Sequence, residues 1–445
     1  MQPQRNLYDK VQKLQSYCIN FKGINLITLS QIYVFELSLN RYKKNKILDL
    51  IKILSLDTYL KSILAFNLNA KKLNRNVKYM FVNDIYNRSM IKNIRQVEDS
   101  FKHPFVEIVC DKRVRASQSI TLFRFFNGFK YLKSILEVIN LCIVNFTVIR
   151  EVSKEFGINK YLLFLNIIES VYIINCVEGL FLKLPNLKRI LLNTDIHKTS
   201  KTINLIAQKR NIKTHVIQHG STVLEYGYLP VSANVLFTWG ELSNKWFIER
   251  GTNPEKLQIT GTPKTDFLNT YPKLNIKSEK INSVLIVMNP IGDENINNFL
   301  KIIFESNLHS KYRINIKLHP GSIDNKDLIY KHFAQNDISI FKHENIHDLI
   351  YGSDVVISTT STVGNEAIAL YKPLIKVDIE GVDTVLEYEH FDCCNIISSS
   401  DELAETIANT QMLYDKHKNY DMFINKYFYK LDGKSIDRII NHLVL

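Results

Sequence analysis

The chain lacks most of the features that classify a protein at sight. Its 445 residues hold six cysteines, at 18, 110, 142, 176, 393 and 394, with neither metal-ligand spacing nor a C-x-x-C motif. They read as reduced thiols of a cytoplasmic protein. No charged n-region followed by an apolar h-region stands at the N-terminus, so no signal peptide is expected. No helix-turn-helix, zinc-finger or RNA-binding signature appears, which argues against nucleic acid as a partner. No Asp-x-Asp occurs in a strand–loop context, so no metal is expected. Internal repeats and low-complexity tracts are absent. Two apolar stretches, 132–149 and 161–184, are broken by Glu137, Asn140 and Asn145, and by Glu169, Asn175 and Glu178. A membrane-spanning helix needs about 20 nearly uncharged residues, so both read as buried or amphipathic helices.

What is present is enough apolar sequence, 45%, for two ordinary domains. The formal charge of +13 is unevenly spread. Residues 1–200 carry 31 Lys and Arg against 15 Asp and Glu, or +16, and the remainder carries 26 against 29, or −3. An anionic membrane surface or an anionic acceptor fits such a basic half, as does a Lys-rich solvated surface.

From about residue 186 the chain alternates strand and helix. Strands are expected at 189–194, 214–218, 235–239, 257–260, 283–288, 313–318, 338–341, 353–358 and 374–377. Helices are expected at 198–209, 242–250, 295–305, 326–335, 347–351 and 365–371. Before residue 180 the pattern is harder to read, with strands expected at 23–29, 78–82 and 105–110. The polar, Lys-rich stretch 272–280 reads as a linker. The expected division is a basic, helix-rich domain over 1–272, a second α/β domain over 281–425 and a C-terminal helix over 426–445.

Two segments carry chemistry. The apolar strand that opens with Ser353 and Asp354 ends in five hydroxyl residues, Ser358, Thr359, Thr360, Ser361 and Thr362, followed by Gly364 and a helix with Glu366 in its first turn. Small hydroxyls and free N–H groups at a helix start suit a phosphate, although such residues also serve as plain helix caps. About 40 residues upstream, the strand Arg313–Leu318 stops at His319-Pro320-Gly321. A histidine at a strand's carboxyl end can donate to a phosphate, and ligands of open α/β sheets collect at those ends.

With Gln218-His219-Gly220-Ser221-Thr222, Trp239-Gly240, Gly261-Thr262-Pro263-Lys264-Thr265-Asp266 and Asp432-Gly433-Lys434-Ser435, these segments resemble the GT-B glycosyltransferases. The resemblance covers 189–438 and is closest to bacterial surface-polysaccharide transferases. These include capsule-type enzymes and the CDP-glycerol glycerophosphotransferases of teichoic acid synthesis. In the latter the motif at His219-Gly220 reads Trp-His-Gly-Thr-Pro-Leu-Lys; here Gln218 replaces Trp and no Pro-Leu-Lys follows. Sialyl- and polysialyltransferases are similar in pairing a His-Pro with a Ser/Thr-rich strand end, but their acidic pair before a glycine appears here only in reversed order, as Gly292-Asp293-Glu294. UDP-N-acetylglucosamine 2-epimerases share the fold, but Ala367 stands where they carry the second of two catalytic glutamates.

The resemblance implies two Rossmann-like domains facing each other across a cleft, and a nucleotide-activated sugar, CMP- or UDP-linked, as donor. It implies a growing glycan or lipid-linked acceptor, with the enzyme cytoplasmic or peripheral at the inner face of the plasma membrane. A CDP-glycerol-type transferase, an epimerase-like enzyme and a silent binding subunit are the alternatives. His319 and Pro320, with Ser358 to Thr362, are expected at the leaving phosphate, and Glu366 at the donor sugar or ribose. Asn289 and Gly292 would close the nucleotide pocket, and His219 would be the base.

Overall fold

The computed structural model describes residues 9–10, 12–31, 34, 73–84, 88–110, 119–122, 128–222, 225–272, 280–319, 326–333, 338–382 and 385–445. The chain forms two compact units, residues 1–264 with 435–445, and residues 265–434. The expected linker, 272–280, begins after this division, and its residues 273–279 lie outside the described ones.

In the first unit, a helical stretch at 12–16 precedes a hairpin of two-residue strands, β1 (Asn20–Phe21) and β2 (Ile24–Asn25). A strand was expected over 23–29. Instead the Asn25 side chain accepts a hydrogen bond from the Ile27 N–H at 3.1 Å and starts a helical turn, Leu26–Leu29. Asparagine is a strong N-cap, and here it overrides the β-branched run.

A seven-stranded parallel sheet comes next: β3 (Tyr79–Asn83), β4 (Phe105–Val109), β5 (Ile120–Thr121), β6 (Arg189–Leu192), β7 (Lys213–Ile217), β8 (Val235–Thr238) and β9 (Leu257–Ile259). Its spatial order is β5-β4-β3-β6-β7-β8-β9. The helices of this unit include α1 (Arg88–Ser100), α2 (Gly128–Val144), α3 (Lys160–Phe181) and α4 (Lys198–Lys209). By length and composition α3 could cross a membrane, but 56% of its most apolar window is buried, including Leu163, Ile167, Val171 and Ile174.

The second unit is a six-stranded parallel sheet of β10 (Ser283–Val287), β11 (Arg313–Lys317), β12 (Ile338–Phe341), β13 (Val355–Ser358), β14 (Leu374–Val377) and β15 (Asn395–Ile397). It carries α5 (Asp293–Glu305), α6 (Ile346–Tyr351) and α7 (Val363–Ala369). Residues 284–287 of β10 are buried, as expected for a strand covered on both faces.

The expected C-terminal helix over 426–445 is not continuous. One helix ends at Tyr427, Gly433 turns the chain at φ +70°, and α8 (Ser435–Val444) returns to the first unit. There Ile439 and Leu443 are buried with Phe81, Leu191, Ile217 and Phe237.

Candidate functional site

The second unit's strands lie in the order β12-β11-β10-β13-β14-β15, so its first and fourth strands are neighbours. Connections leave β10 and β13 in opposite directions, which opens a crevice at their carboxyl ends, where open α/β sheets bind ligands. Asn289 and the hydroxyl run meet there. Asn289, just past β10, donates from Nδ2 to Thr359 Oγ1, just past β13, at 3.2 Å. Ser358 ends β13 fully buried, and its Oγ has no hydrogen-bond partner. Plain capping accounts only for Ser361, whose Oγ accepts the Val363 N–H at 3.2 Å. Thr362 is the N-cap residue, makes no side-chain cap bond and is exposed, while Thr360 is half-buried. The helix it opens, α7, has only seven residues. Its dipole is correspondingly small, so side-chain hydroxyls carry more of any anion contact than the helix end does.

The close fit of α7 depends on Gly364. A Cβ there would lie 2.7 Å from the Tyr388 ring and 2.9 Å from Leu374. Gly292, at φ +90°, is the N-cap of α5 and adopts a conformation that side chains resist. His319 sits exposed just past β11. Partial burial and the neighbouring Lys317 ammonium lower its pKa from the ordinary histidine value. Lys317 itself is tied down, donating to Leu318 O at 3.1 Å and Lys342 O at 2.8 Å. Pro320 lies outside the described residues.

Glu366 is half-buried. Its Oε2 is inaccessible to solvent and lies 3.2 Å from His347 Nε2, in an oblique approach that aligns no hydrogen bond. His347 was not singled out from the sequence. It lies on a short helix with no motif around it, and only the fold places it beside Glu366.

His219 belongs to the first unit, just past β7. Its ring stacks on Tyr228 with centroids 4.4 Å apart, and Lys264 Nζ donates to its carbonyl at 2.8 Å. Tyr228 OH donates to Gly220 O at 2.6 Å, so both ends of the His-Gly turn are held. A cavity of ≈ 10 Å³, enough for one water, is lined by residues that include Thr194, Asp195, Gln218, His219 and Tyr228. Although part of His219 stays open to solvent, burial of the ring pushes its pKa down to about 3, helped by Lys264 and His197. The ring is therefore neutral at physiological pH and, with its pKa this low, only a weak base. An anion neutralising Lys264 would strengthen it as a base.

Residues 243–445 match a protein family described as CDP-Glycerol:Poly(glycerophosphate) glycerophosphotransferase. The matched span takes in the second unit's strand-end residues and leaves out His219. The chain is 24% identical over 217 residues to a teichoic acid poly(ribitol-phosphate) polymerase of Bacillus spizizenii, covering 44% of this chain and 34% of that one. It is 29% identical over 133 residues to a teichoic acid ribitol-phosphate polymerase of Staphylococcus aureus, covering 28% of this chain and 25% of that one. The matches thus span about a third and a quarter of those curated relatives. Among solved structures, the UDP-GlcNAc 2-epimerase of Methanocaldococcus jannaschii superposes with a TM-score of 0.53 at 14% identity, over 83% of this chain and 99% of that one. At that identity the likeness is one of fold. The fold is GT-B: two Rossmann-like domains, each built on a parallel sheet.

Proposed function

We propose that the protein transfers a unit from a nucleotide-activated donor to a growing cell-surface polymer, and that the donor is CDP-linked glycerol or ribitol. The observation that carries this reading is the family match over 243–445, which contains Asn289, His319, Ser358 to Thr362 and Glu366. In the described structure these residues, Pro320 aside, gather at or beside the carboxyl ends of β10, β11 and β13.

In this reading the second unit binds the donor. His319 and the hydroxyls of Ser358 to Thr362 neutralise the phosphate that departs with the nucleotide, and Glu366 holds donor hydroxyls. The neutral His219 ring takes the proton of the acceptor hydroxyl as its oxygen attacks the donor phosphorus. The phosphoanhydride bond then breaks and CMP leaves. The acceptor is a lipid-linked or anionic polymer at the inner membrane surface. The +16 charge of residues 1–200 supports this, as does an exposed apolar stripe, Leu136, Ile139 and Ile143 on α2 with Phe146 just beyond it.

A second reading, transfer of a sugar rather than a polyol phosphate, draws on Gln218, which stands where glycerophosphotransferases carry Trp, and on the missing Pro-Leu-Lys. The deciding experiment incubates the purified protein and acceptor polymer with CDP-glycerol, CDP-ribitol, a CMP-sugar and a UDP-sugar, and monitors nucleotide release. CMP released from a CDP-polyol supports the first reading, and turnover of the sugar donors alone supports the second. Nucleotide binding without turnover of any donor would indicate a silent subunit and overturn both.

A further inference from the structure

The group at the second unit's strand ends contains one ring that the proposed transfer chemistry does not use. His347 lies in the first turn of α6, which the chain enters from the carboxyl end of β12. It is therefore on the same rim of the sheet as Glu366, which lies in the first turn of α7.

Three neighbours hold the His347 ring. Asn345 Oδ1 accepts the His347 backbone N–H at 3.1 Å, which identifies that atom as the oxygen, and it also lies 3.1 Å from His347 Nδ1. With Nδ1–H directed at Asn345, Nε2 is the nitrogen turned to Glu366, and it pairs with the carboxylate when the ring is protonated on both nitrogens. Phe267 packs edge-on against the ring, with centroids 4.6 Å apart at 80°. The third neighbour is Glu366 Oε2, at 3.2 Å.

The His347 side chain is only 12% exposed, while Glu366 keeps 30% of its side chain open although Oε2 is fully covered. Oε2 is thus covered on the His347 side, while part of the Glu366 side chain stays open. A carboxylate with one oxygen covered suits a vicinal diol through the other, whose two lone pairs can accept from two adjacent hydroxyls. A nucleoside diphosphate brings such a diol, the ribose 2′- and 3′-hydroxyls, into the same crevice as its phosphates.

We infer that His347 is a positioning residue: it fixes the Glu366 carboxylate for the ribose diol of the donor and so makes the site select ribonucleotides over 2′-deoxyribonucleotides. This rests on the proposed binding of the donor by the second unit.

The test measures, by calorimetry on the full chain, the affinities of CDP, 2′-deoxy-CDP, UDP and 2′-deoxy-UDP for the parent protein and for H347A, H347Q, E366Q and H347A/E366Q. The parent should bind at least one ribonucleotide about tenfold or more tighter than its deoxy form, the size of one charge-assisted hydrogen bond. In H347A and E366Q that preference should shrink to about twofold or less. The double variant should be no worse than E366Q alone, because both changes remove one unit. H347Q keeps a donor near Oε2 and should recover most of the preference. A merely structural histidine would lower both affinities together and leave their ratio unchanged, and that result, like full discrimination in H347A, overturns the role of His347. A parent that binds both sugars equally overturns the diol assignment. A parent that binds no nucleotide overturns the proposed donor site itself, and the inference with it.

Discussion

Gln218 and Trp239 are locked to each other by two hydrogen bonds: Gln218 Oε1 accepts the Trp239 backbone N–H at 3.0 Å, and Gln218 O accepts the indole Nε1–H at 3.0 Å. Gln218 also donates from Nε2 to Gly220 O at 2.9 Å. One side chain therefore ties the end of β8 to the turn that carries His219. Both residues are buried, so Gln218→Ala removes the acceptor that Oε1 offers to the Trp239 N–H. The expected cost is about 1–3 kcal/mol, read as a lower urea midpoint at unchanged slope, with altered Trp fluorescence. An unchanged midpoint would show that another group takes over the N–H.

His219→Ala should lower turnover by about 10²–10⁴ and leave donor affinity nearly unchanged, because the ring lies outside the unit that holds the strand-end residues. Steady-state kinetics at saturating donor, beside a calorimetric titration, separates the two effects. Loss of donor affinity with normal turnover would instead place His219 at the donor.

His319→Ala should weaken nucleotide binding by about tenfold or more, the size of one hydrogen bond to a charged group. His319 is exposed, so thermal stability should not change. Unaltered affinity for CDP and UDP would remove His319 from the phosphate site.

Gly364→Ala brings a Cβ within 2.7 Å of Tyr388. Overpacking of this kind costs about 1–3 kcal/mol, and relief requires α7 to move away from β14, carrying the hydroxyl run with it. Chemical denaturation and nucleotide affinity should both deteriorate. A fully stable variant with normal affinity would show that Tyr388 yields instead.

Stability should fall as the pH drops. Burial lowers the pKa of His215 to about 4 and that of His219 to about 3, against an unfolded value near 6.5. A group with a depressed pKa binds its proton more readily in the unfolded chain. Its contribution is therefore complete above about pH 6.5 and lost progressively as pH falls toward the folded values. Urea midpoints at pH 7.5, 6, 5 and 4 should decline, and the decline should be shallower in His215→Asn, whose side chain does not titrate. Equal slopes in both proteins would mean that carboxylates dominate the acid limb.

The sequence by itself determined the local elements and their periodicity. Apolar runs such as Val355 to Ile357 and Val284 to Val287 suit strands buried on both faces of a parallel sheet, and helices between them supply the crossovers. That is why the strand–helix alternation after residue 186 was legible, and why the hydroxyl run could be placed at a strand's end. The strand expected over 23–29 gives way to a helical turn because the Asn25 side-chain cap outweighs the apolar pattern, a competition that strand periodicity does not register. The C-terminal segment was legible as helix, but the partner of α8 was not: Ile439 and Leu443 advertise an apolar face without saying that it closes over Phe81 and Phe237, more than 200 residues earlier. The same holds for the site. His319 and Ser358 to Thr362 could be proposed from their places at strand ends, since strand order in an α/β sheet brings such ends together. The stacking of Tyr228 on His219 and the approach of His347 to Glu366 depend on side chains from separate elements meeting at particular angles. Long-range packing sets those angles, and no local pattern in the chain encodes them.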